Sequence, residues 1–338
     1  MRFHHVDVFT DRPYSGNGLA VFPDAAGLTG PQMLAVTREL RHFESVFLVR
    51  DEPAEGTWRA RVFDLAGELD FAGHPLVGAA AVLHDLHGGG ADRGAWTLRL
   101  PARTVEVATR RRGPGRYASL LDQGPAVFLG RPDPSGLAAL FGLEPGDLDP
   151  GLPPEVLSTG LRYLVLPVRG DALARARVVA PLDVPLARLG AEFAYVLDAA
   201  AAEGRHWTND GLVEDVATGS GAGCAAAYLR RHGRTGDGEQ WVLRQGRFTG
   251  RPSAMAVGAD GRGGRGAARA GGGGGGAWAR WGGPGASPRR AGSPPAPPAA
   301  ARTSAPCGSA ARSPSSPRAA SASSRIPDAD PPSSTVKT

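Results

Sequence analysis

Residues 68–83 read ELDFAGHPLVGAAAVL, and residues 214–229 read EDVATGSGAGCAAAYL, 146 positions further along the chain. At that shift Gly73 aligns with Gly219, and each segment has a glutamate, three consecutive alanines and a leucine at matching positions. Alanines match easily by chance, but the combined register indicates an internal repeat. The repeat predicts two similar lobes, each with one helix of small residues that is entered through a glycine-containing turn.

Each predicted turn leads into a helix, and a helix N-terminus carries unpaired backbone N–H groups and a partial positive charge. A glycine at that position lets a ligand approach the backbone closely. Two such termini, one from each lobe, could face each other across a cleft. They would then hold a carboxylate or a developing enolate-like anion.

The length of 338 residues is that of two or three units of ordinary domain size, and the 41% of apolar residues are ample to form a buried core. The two cysteines, Cys224 and Cys307, match no disulfide framework and no metal-ligand spacing, so no metal site is predicted. The N-terminal MRFHHVDVFT has no apolar core of a secretory signal, and no run of about 18 apolar residues exists. We therefore expect a cytoplasmic protein that does not span a membrane.

The last part of the chain, residues 258–338, differs sharply from the rest. It is rich in Gly, Pro, Ser and Arg and carries a net charge of +8, which leaves residues 1–257 at −3. A segment of this composition has few large apolar side chains to bury. Their burial cannot offset the entropic cost of ordering the backbone, about 1–2 kcal/mol per residue, so the segment is predicted to be disordered. The basic pI of 9.7 comes from this tail. Because the tail has few aromatics and no regular RGG repeat, no nucleic-acid partner is predicted.

Four polar side chains at predicted strand and turn positions have both a structural and a chemical interpretation. Glu44 begins the apolar strand ESVFLV, either as a charge at the mouth of a strand or as a partly desolvated carboxyl able to exchange a proton with carbon. His74, Asp215 and Ser220 flank the two helix entries. Each of the three either caps a helix or contacts a substrate. Cys224 lies inside the second helix, where a packed small residue is favoured over a nucleophile.

Six segments, in chain order, resemble the signatures of the phenazine-biosynthesis-like isomerases of the PhzF type: VDVFTDRPYSGNGLAVF, FESVFLV, RARVF, ELDFAGHPLVGAAAVL, EDVATGSGAGCAAAYL and QGRFTGRPS. This family shares its fold with diaminopimelate epimerase and proline racemase. The resemblance implies an α+β fold of two pseudo-symmetric lobes, each a curled sheet around a central helix. The expected lobes are residues 1–118 and 119–257, and the resemblance further implies a homodimer that uses no cofactor.

The resemblance also implies a role for each candidate residue. Glu44 matches the catalytic acid–base of the family, and His74 and Asp215 match the residues that position the substrate. The turn residues expected to hold the carboxylate of a small-molecule substrate are Gly73, Thr218, Gly219 and Ser220. Nothing in residues 1–257 specifies the substrate further.

Related racemases use one cysteine in each helix-entry turn as a pair of opposed bases, and the equivalent positions here are Ala72 and Thr218. Neither side chain forms a thiolate, so an isomerase with a single carboxylate is favoured. In that mechanism Glu44 removes a proton from one carbon and returns it to another. An epimerase or racemase on the same fold, and a small-molecule binding protein without activity, are the alternatives.

Chains of this family continue past GRPS with further strands, whereas this chain continues with Gly, Arg, Pro and Ser. We interpret the tail as the product of a frameshift in a GC-rich gene. A family-like C-terminus in another reading frame of that gene would support this interpretation, and its absence from every frame would refute it.

Overall fold

The computed structural model describes residues 1–50, 56–260 and 267–272, with only the backbone described for 260 and 267–272. In these ranges the α-helices are α1 (Gly30–Leu40), α2 (Gly73–His87), α3 (Ala172–Arg175), α4 (Asp183–Arg188) and α5 (Gly219–Arg231). None of these helices is both long and apolar enough to cross a bilayer.

The strands up to residue 130 are β1 (His4–Val8), β2 (Asn17–Phe22), β3 (Glu44–Arg50), β4 (Thr57–Asp64), β5 (Glu68–Leu69), β6 (Arg93–Arg99), β7 (Thr104–Gly113), β8 (Arg116–Pro125) and β9 (Val127–Gly130). The later strands are β10 (Glu155–Ser158), β11 (Arg162–Val168), β12 (Phe193–Asp198), β13 (Glu203–Trp207), β14 (Glu214–Asp215), β15 (Gln240–Gln245), β16 (Ser253–Asp260) and β17 (Ala267–Gly272).

Two runs of paired strands repeat the same pattern. The first run is β1, β2, β3, β4, β6, β7, β8, and the second is β10, β11, β12, β13, β15, β16, β17. In both runs the second strand is parallel to the third and the fourth is parallel to the fifth, while all other neighbours are antiparallel. The predicted α+β fold of two pseudo-symmetric lobes is therefore confirmed, and the repeat extends well beyond the two segments visible in the sequence.

The two runs join where β17 pairs antiparallel with β8, its counterpart in the first run. β17 lies beyond Val257, inside the segment predicted to be disordered. Its sequence AARAGG contains no large apolar side chain, but pairing with β8 and β16 uses only backbone N–H and C=O groups. The lobe boundary after residue 118 falls within β8 and stays a prediction, and residues 273–338 of the predicted tail lie outside the described residues.

The central helices α2 and α5 are buried along most of their length. Strands pass so close to them that a Cβ atom on Gly78 would lie 2.5 Å from Cδ2 of Leu19, and one on Gly221 would lie 2.6 Å from Cδ2 of Tyr195. Small residues are therefore required on these helices, as the sequence predicts. This tight packing fixes the position of each helix N-terminus.

Candidate active site

The N-termini of α2 and α5 meet at Gly73 and Gly219. A Cβ atom on Gly73 would lie 2.9 Å from the backbone N of Ser220 and 3.1 Å from Cα of Gly219. Only glycine permits this approach, because any side chain at residue 73 would displace backbone atoms of the other lobe. Two positive helix ends thus converge on one place, an arrangement that stabilises an anion.

Glu44 and His74 lie together on the N-terminal lobe, next to these helix ends. Glu44 is the first residue of β3 and is 9% exposed, and His74 is the second residue of α2 and is 3% exposed. Nδ1 of His74 lies 3.1 Å from Oε2 of Glu44, but the angles are not those of a hydrogen bond. Glu44 Oε2 therefore has no hydrogen-bond partner among the described residues. The other ring nitrogen of His74, Nε2, has none there either. Buried polar atoms of this kind call for a partner from outside the chain.

Burial changes the protonation of both groups. It raises the pKa of Glu44 well above the ordinary value of 4.5, and the negative charges of Asp215 and Asp64 raise this pKa further. Burial lowers the pKa of His74 to about 4, so its imidazole is neutral near pH 7. A carboxyl with a raised pKa beside a neutral imidazole is suited to taking and returning a proton.

Asp215 stands at the opposite side of the junction, on the C-terminal lobe. Its Oδ2 accepts a hydrogen bond of 2.6 Å from Thr218 Oγ1, and its Oδ1 accepts one of 2.8 Å from Asn17 Nδ2. The Asn17 amide also donates to the backbone oxygen of Ala217 at 3.0 Å. Because Asn17 begins β2 of the first lobe, its amide ties the two lobes together beside the site.

Ser220 is bonded to an aromatic cluster in the C-terminal lobe. Its Oγ lies 2.8 Å from the hydroxyl of Tyr163. The ring of Tyr163 contacts those of Phe193 and His206 at centroid distances of 5.5 and 5.7 Å. His206 Nδ1 donates to the Ala194 carbonyl at 2.8 Å, and burial lowers its pKa.

Phe193 occupies the position in the second lobe that Glu44 occupies in the first. The parallel pairing of β2 with β3 begins at Leu19 and Glu44, and that of β11 with β12 begins at Tyr163 and Phe193. A carboxyl in one lobe is thus matched by a phenyl ring in the other. The scaffold is symmetric here, but its titratable groups are not.

All seven residues predicted for the site lie at this junction: Glu44, Gly73, His74, Asp215, Thr218, Gly219 and Ser220. Asn17 is a site residue that the sequence did not predict. Its only signal was its place in the turn segment SGNG, residues 15–18. Ala72 and Thr218 are the N-cap residues of α2 and α5, so neither helix entry carries a thiol. Within residues 1–50, 56–260 and 267–272, no group of three or more His, Cys, Asp or Glu side chains could hold a metal ion.

Comparison with known proteins gives the site a context. Residues 6–275 match the family described as phenazine biosynthesis-like protein. The trans-2,3-dihydro-3-hydroxyanthranilate isomerase of Pseudomonas aeruginosa is 33% identical over 271 residues, which are 78% of this chain and 92% of that protein. A solved structure of a predicted epimerase from the same organism is 49% identical, with a TM-score of 0.76 over 80% of this chain and 95% of that chain. A probable proline racemase from Agrobacterium radiobacter shares the fold, at 14% identity and a TM-score of 0.51 over 80% of this chain and 90% of that one.

Proposed function

Because the chain belongs to the phenazine biosynthesis-like protein family and is an isomerase, we propose that it moves a proton between two carbons of a small carboxylate, with Glu44 as acid and base. The observation that carries the proposal is the unpaired, buried Oε2 of Glu44 beside a neutral His74. This oxygen lies next to two helix N-termini that converge on one place. A proton acceptor and an anion-stabilising backbone are thus combined at one junction.

The proposed reaction has two steps. Glu44, as the carboxylate, takes a proton from one substrate carbon, and the electron pair of that C–H bond passes into the adjacent unsaturated system. The backbone N–H groups at the starts of α2 and α5 stabilise the negative charge that results. Glu44, now the acid, gives the proton to a second carbon, and the double bond shifts. Electrons and protons balance within the substrate, so the reaction needs no cofactor.

Two further side chains position the substrate in this proposal. His74 is neutral, and its unpaired Nε2 is available to a polar substrate group. Asp215 is held by Asn17 and Thr218 and offers a fixed acceptor for an amine or hydroxyl. The carboxylate of the substrate is assigned to the helix entries, at Gly73, Gly219 and Ser220.

The named relatives support one substrate class. Three relatives at 32–33% identity are trans-2,3-dihydro-3-hydroxyanthranilate isomerases. We assign this chain a substrate of the same class, a cyclic unsaturated amino-carboxylate. In line with the family resemblance, the enzyme is proposed to act as a homodimer in the cytoplasm.

An epimerase is the second candidate, because the relative at 49% identity is described as a predicted epimerase. A two-base epimerase needs a titratable group on each side of the reacting carbon. The two helix entries carry Ala72 and Thr218, and the counterpart of Glu44 is Phe193. These residues favour the one-base isomerase.

The proposal is tested with trans-2,3-dihydro-3-hydroxyanthranilate as substrate and product formation followed by NMR. The Glu44→Gln variant is compared with the parent and with Glu39→Gln, which removes an exposed carboxylate from α1. We expect turnover by the parent and by Glu39→Gln, and turnover about 10³-fold slower by Glu44→Gln. A folded parent without turnover contradicts the substrate assignment, and a Glu44→Gln variant that retains the turnover rate of the parent contradicts the role of Glu44.

A further inference from the structure

Gln245, the last residue of β15, has an amide group that is fully used in hydrogen bonding. The side chain is 1% exposed. Its Oε1 accepts from the hydroxyl of Tyr195 at 2.9 Å and from the backbone N–H of Thr218 at 3.2 Å. Its Nε2 donates to the backbone oxygen of Asp215 at 2.8 Å and to Thr218 Oγ1 at 2.9 Å. Both donors and both main acceptor directions of the amide are therefore occupied.

These bonds fix the direction of the Thr218 hydroxyl. Because Thr218 Oγ1 accepts from Gln245, its own hydrogen is free to point to Asp215 Oδ2, 2.6 Å away. Gln245 also holds the backbone of the turn at both ends, through Asp215 and Thr218. One side chain thus sets the position of the turn and the orientation of a hydrogen bond to the Asp215 carboxylate.

The segment 245–253 that begins at Gln245 also reaches the turn between β1 and β2 of the first lobe. Ser253 Oγ donates to the Val216 carbonyl at 3.2 Å, inside the turn that carries Asp215. Arg251 Nε donates to the Gly16 carbonyl at 2.8 Å, beside Asn17. The segment therefore holds the two turns whose side chains meet in the Asn17–Asp215 hydrogen bond.

We propose that Gln245 is a positioning residue, which aligns the Asp215 carboxylate with a polar group of the substrate by fixing Thr218 and the turn between them. The inference rests on the proposed function of Asp215 in substrate positioning. Packing alone does not account for Gln245, since an apolar side chain of similar volume would fill the same space without four directed hydrogen bonds. The amide is placed where its bonds end on the site.

The first test compares Gln245→Met with Tyr195→Phe. Methionine keeps the volume of Gln245 and loses all four hydrogen bonds, whereas Tyr195→Phe removes the one bond that points away from Asp215. We expect kcat/KM to fall about 30-fold in Gln245→Met, because a small displacement of a positioning group is costly. Tyr195→Phe should stay within about threefold of the parent. Equal effects in the two variants contradict the inference.

A double-mutant cycle tests whether Gln245 acts through Asp215. In an Asp215→Asn background the carboxylate that Gln245 aligns is already lost. Gln245→Met should then lower kcat/KM by less than about threefold, whereas it lowers that of the parent about 30-fold. Independent, multiplicative effects contradict the inference.

If Gln245→Met does not fold, Gln245→Glu tests the positioning role of Gln245 instead. A protonated carboxyl at residue 245 can still donate one hydrogen bond to Thr218 Oγ1, while an ionised carboxylate cannot. We expect the activity per folded molecule of Gln245→Glu to fall at higher pH while that of the parent is maintained. Profiles of the same shape contradict the inference.

A folded parent without turnover would contradict the substrate assignment and not the role of Gln245 in the turn. Amide hydrogen exchange of Thr218 then gives the answer, because its N–H donates to Gln245. Exchange of this amide should be about tenfold faster in Gln245→Met than in Tyr195→Phe. Equal exchange in both variants contradicts the inference.

Discussion

The two lobes share a strand order and a central helix, but they differ at the head of the third strand. In the first lobe Glu44 stands there, next to His74, and Glu44 Oε2 and His74 Nε2 lack a hydrogen-bond partner among the described residues. In the second lobe Phe193 stands there, and nearby Ser220 is bonded to Tyr163. This difference supports the proposed division of a duplicated scaffold into a reactive half and a binding half.

The hydrogen bonding of the two carboxyl groups follows the same division. Asp215 accepts from Asn17 and Thr218, and these partners belong to a network that continues to Gln245. Glu44 is buried beside two like charges, and its pKa is raised. A carboxylate held by a hydrogen bond to each oxygen suits positioning, and one with a raised pKa suits proton transfer.

The largest effect on kcat/KM should come from substitutions at the first residue of the third strand in each lobe. Glu44→Gln should lower kcat/KM by about 10³-fold, because it removes the proposed general acid–base. Phe193→Leu, the matched change in the other lobe, should lower kcat/KM by less than about tenfold, since this substitution changes only the shape of an apolar side chain beside the site. Steady-state kinetics measures both. Comparable losses would show that the lobes are not divided in this way.

A smaller effect is expected where the two helix entries touch. In Gly73→Ala the new Cβ meets backbone atoms of the other lobe at 2.9–3.1 Å, so the helix ends must separate. In Gly219→Ala the nearest atom, at 3.1 Å, is Cζ of the Phe9 side chain. We expect kcat/KM to fall about 100-fold in Gly73→Ala and about tenfold in Gly219→Ala. The reverse order would contradict this account of the junction.

The pH dependence of the parent should depend on Asp64, which faces Glu44 across β3 and β4. Glu44 must be ionised to accept a proton, so kcat/KM should rise with pH through its raised pKa. Asp64→Asn removes a negative charge that contributes to this rise in pKa. The rising limb of the pH profile should therefore move to lower pH. A rising limb that stays in place, or that moves to higher pH, would show that another group controls the profile.

The smallest effect concerns stability. Since the pKa of Glu44 is raised in the folded protein, its protonated form contributes stability below pH 4.5, and this contribution is lost as pH rises through the folded pKa. Glu44→Gln cannot ionise, so its Tm should exceed that of the parent by about 2–4 °C at pH 8. The difference should shrink at pH 4. Scanning calorimetry at both pH values measures it, and a constant difference would contradict the prediction.

Much of the shared scaffold could be predicted from the sequence, because the repeat marks both central helices and both of their entry turns. The family resemblance then placed Glu44, His74 and Asp215 in one site, and the structure brings these residues together. Contacts between distant turns could not be predicted. The Asn17–Asp215 hydrogen bond joins residues 198 positions apart, and no local pattern marks it.

Two other features also left no signal in the sequence. β17 pairs through its backbone, so its alanines and glycines show neither the alternation nor the branched side chains of a strand. Gln245 belongs to a segment that carried the family resemblance, but its four hydrogen bonds depend on how β15 packs against the start of α5. Side-chain networks of this kind are set by tertiary structure.

The central claim, that one carboxyl transfers the proton, is tested most directly by running the reaction of trans-2,3-dihydro-3-hydroxyanthranilate in D₂O and locating carbon-bound deuterium by NMR. For the parent we predict deuterium in the product at the carbon that accepts the proton, because the Glu44 carboxyl exchanges its proton with D₂O before it delivers it, and recovered substrate of unchanged configuration. Glu44→Gln should incorporate carbon-bound deuterium about 10³-fold more slowly. Recovered substrate of inverted configuration, or deuterium uptake by Glu44→Gln at the rate of the parent, would contradict the one-carboxyl account.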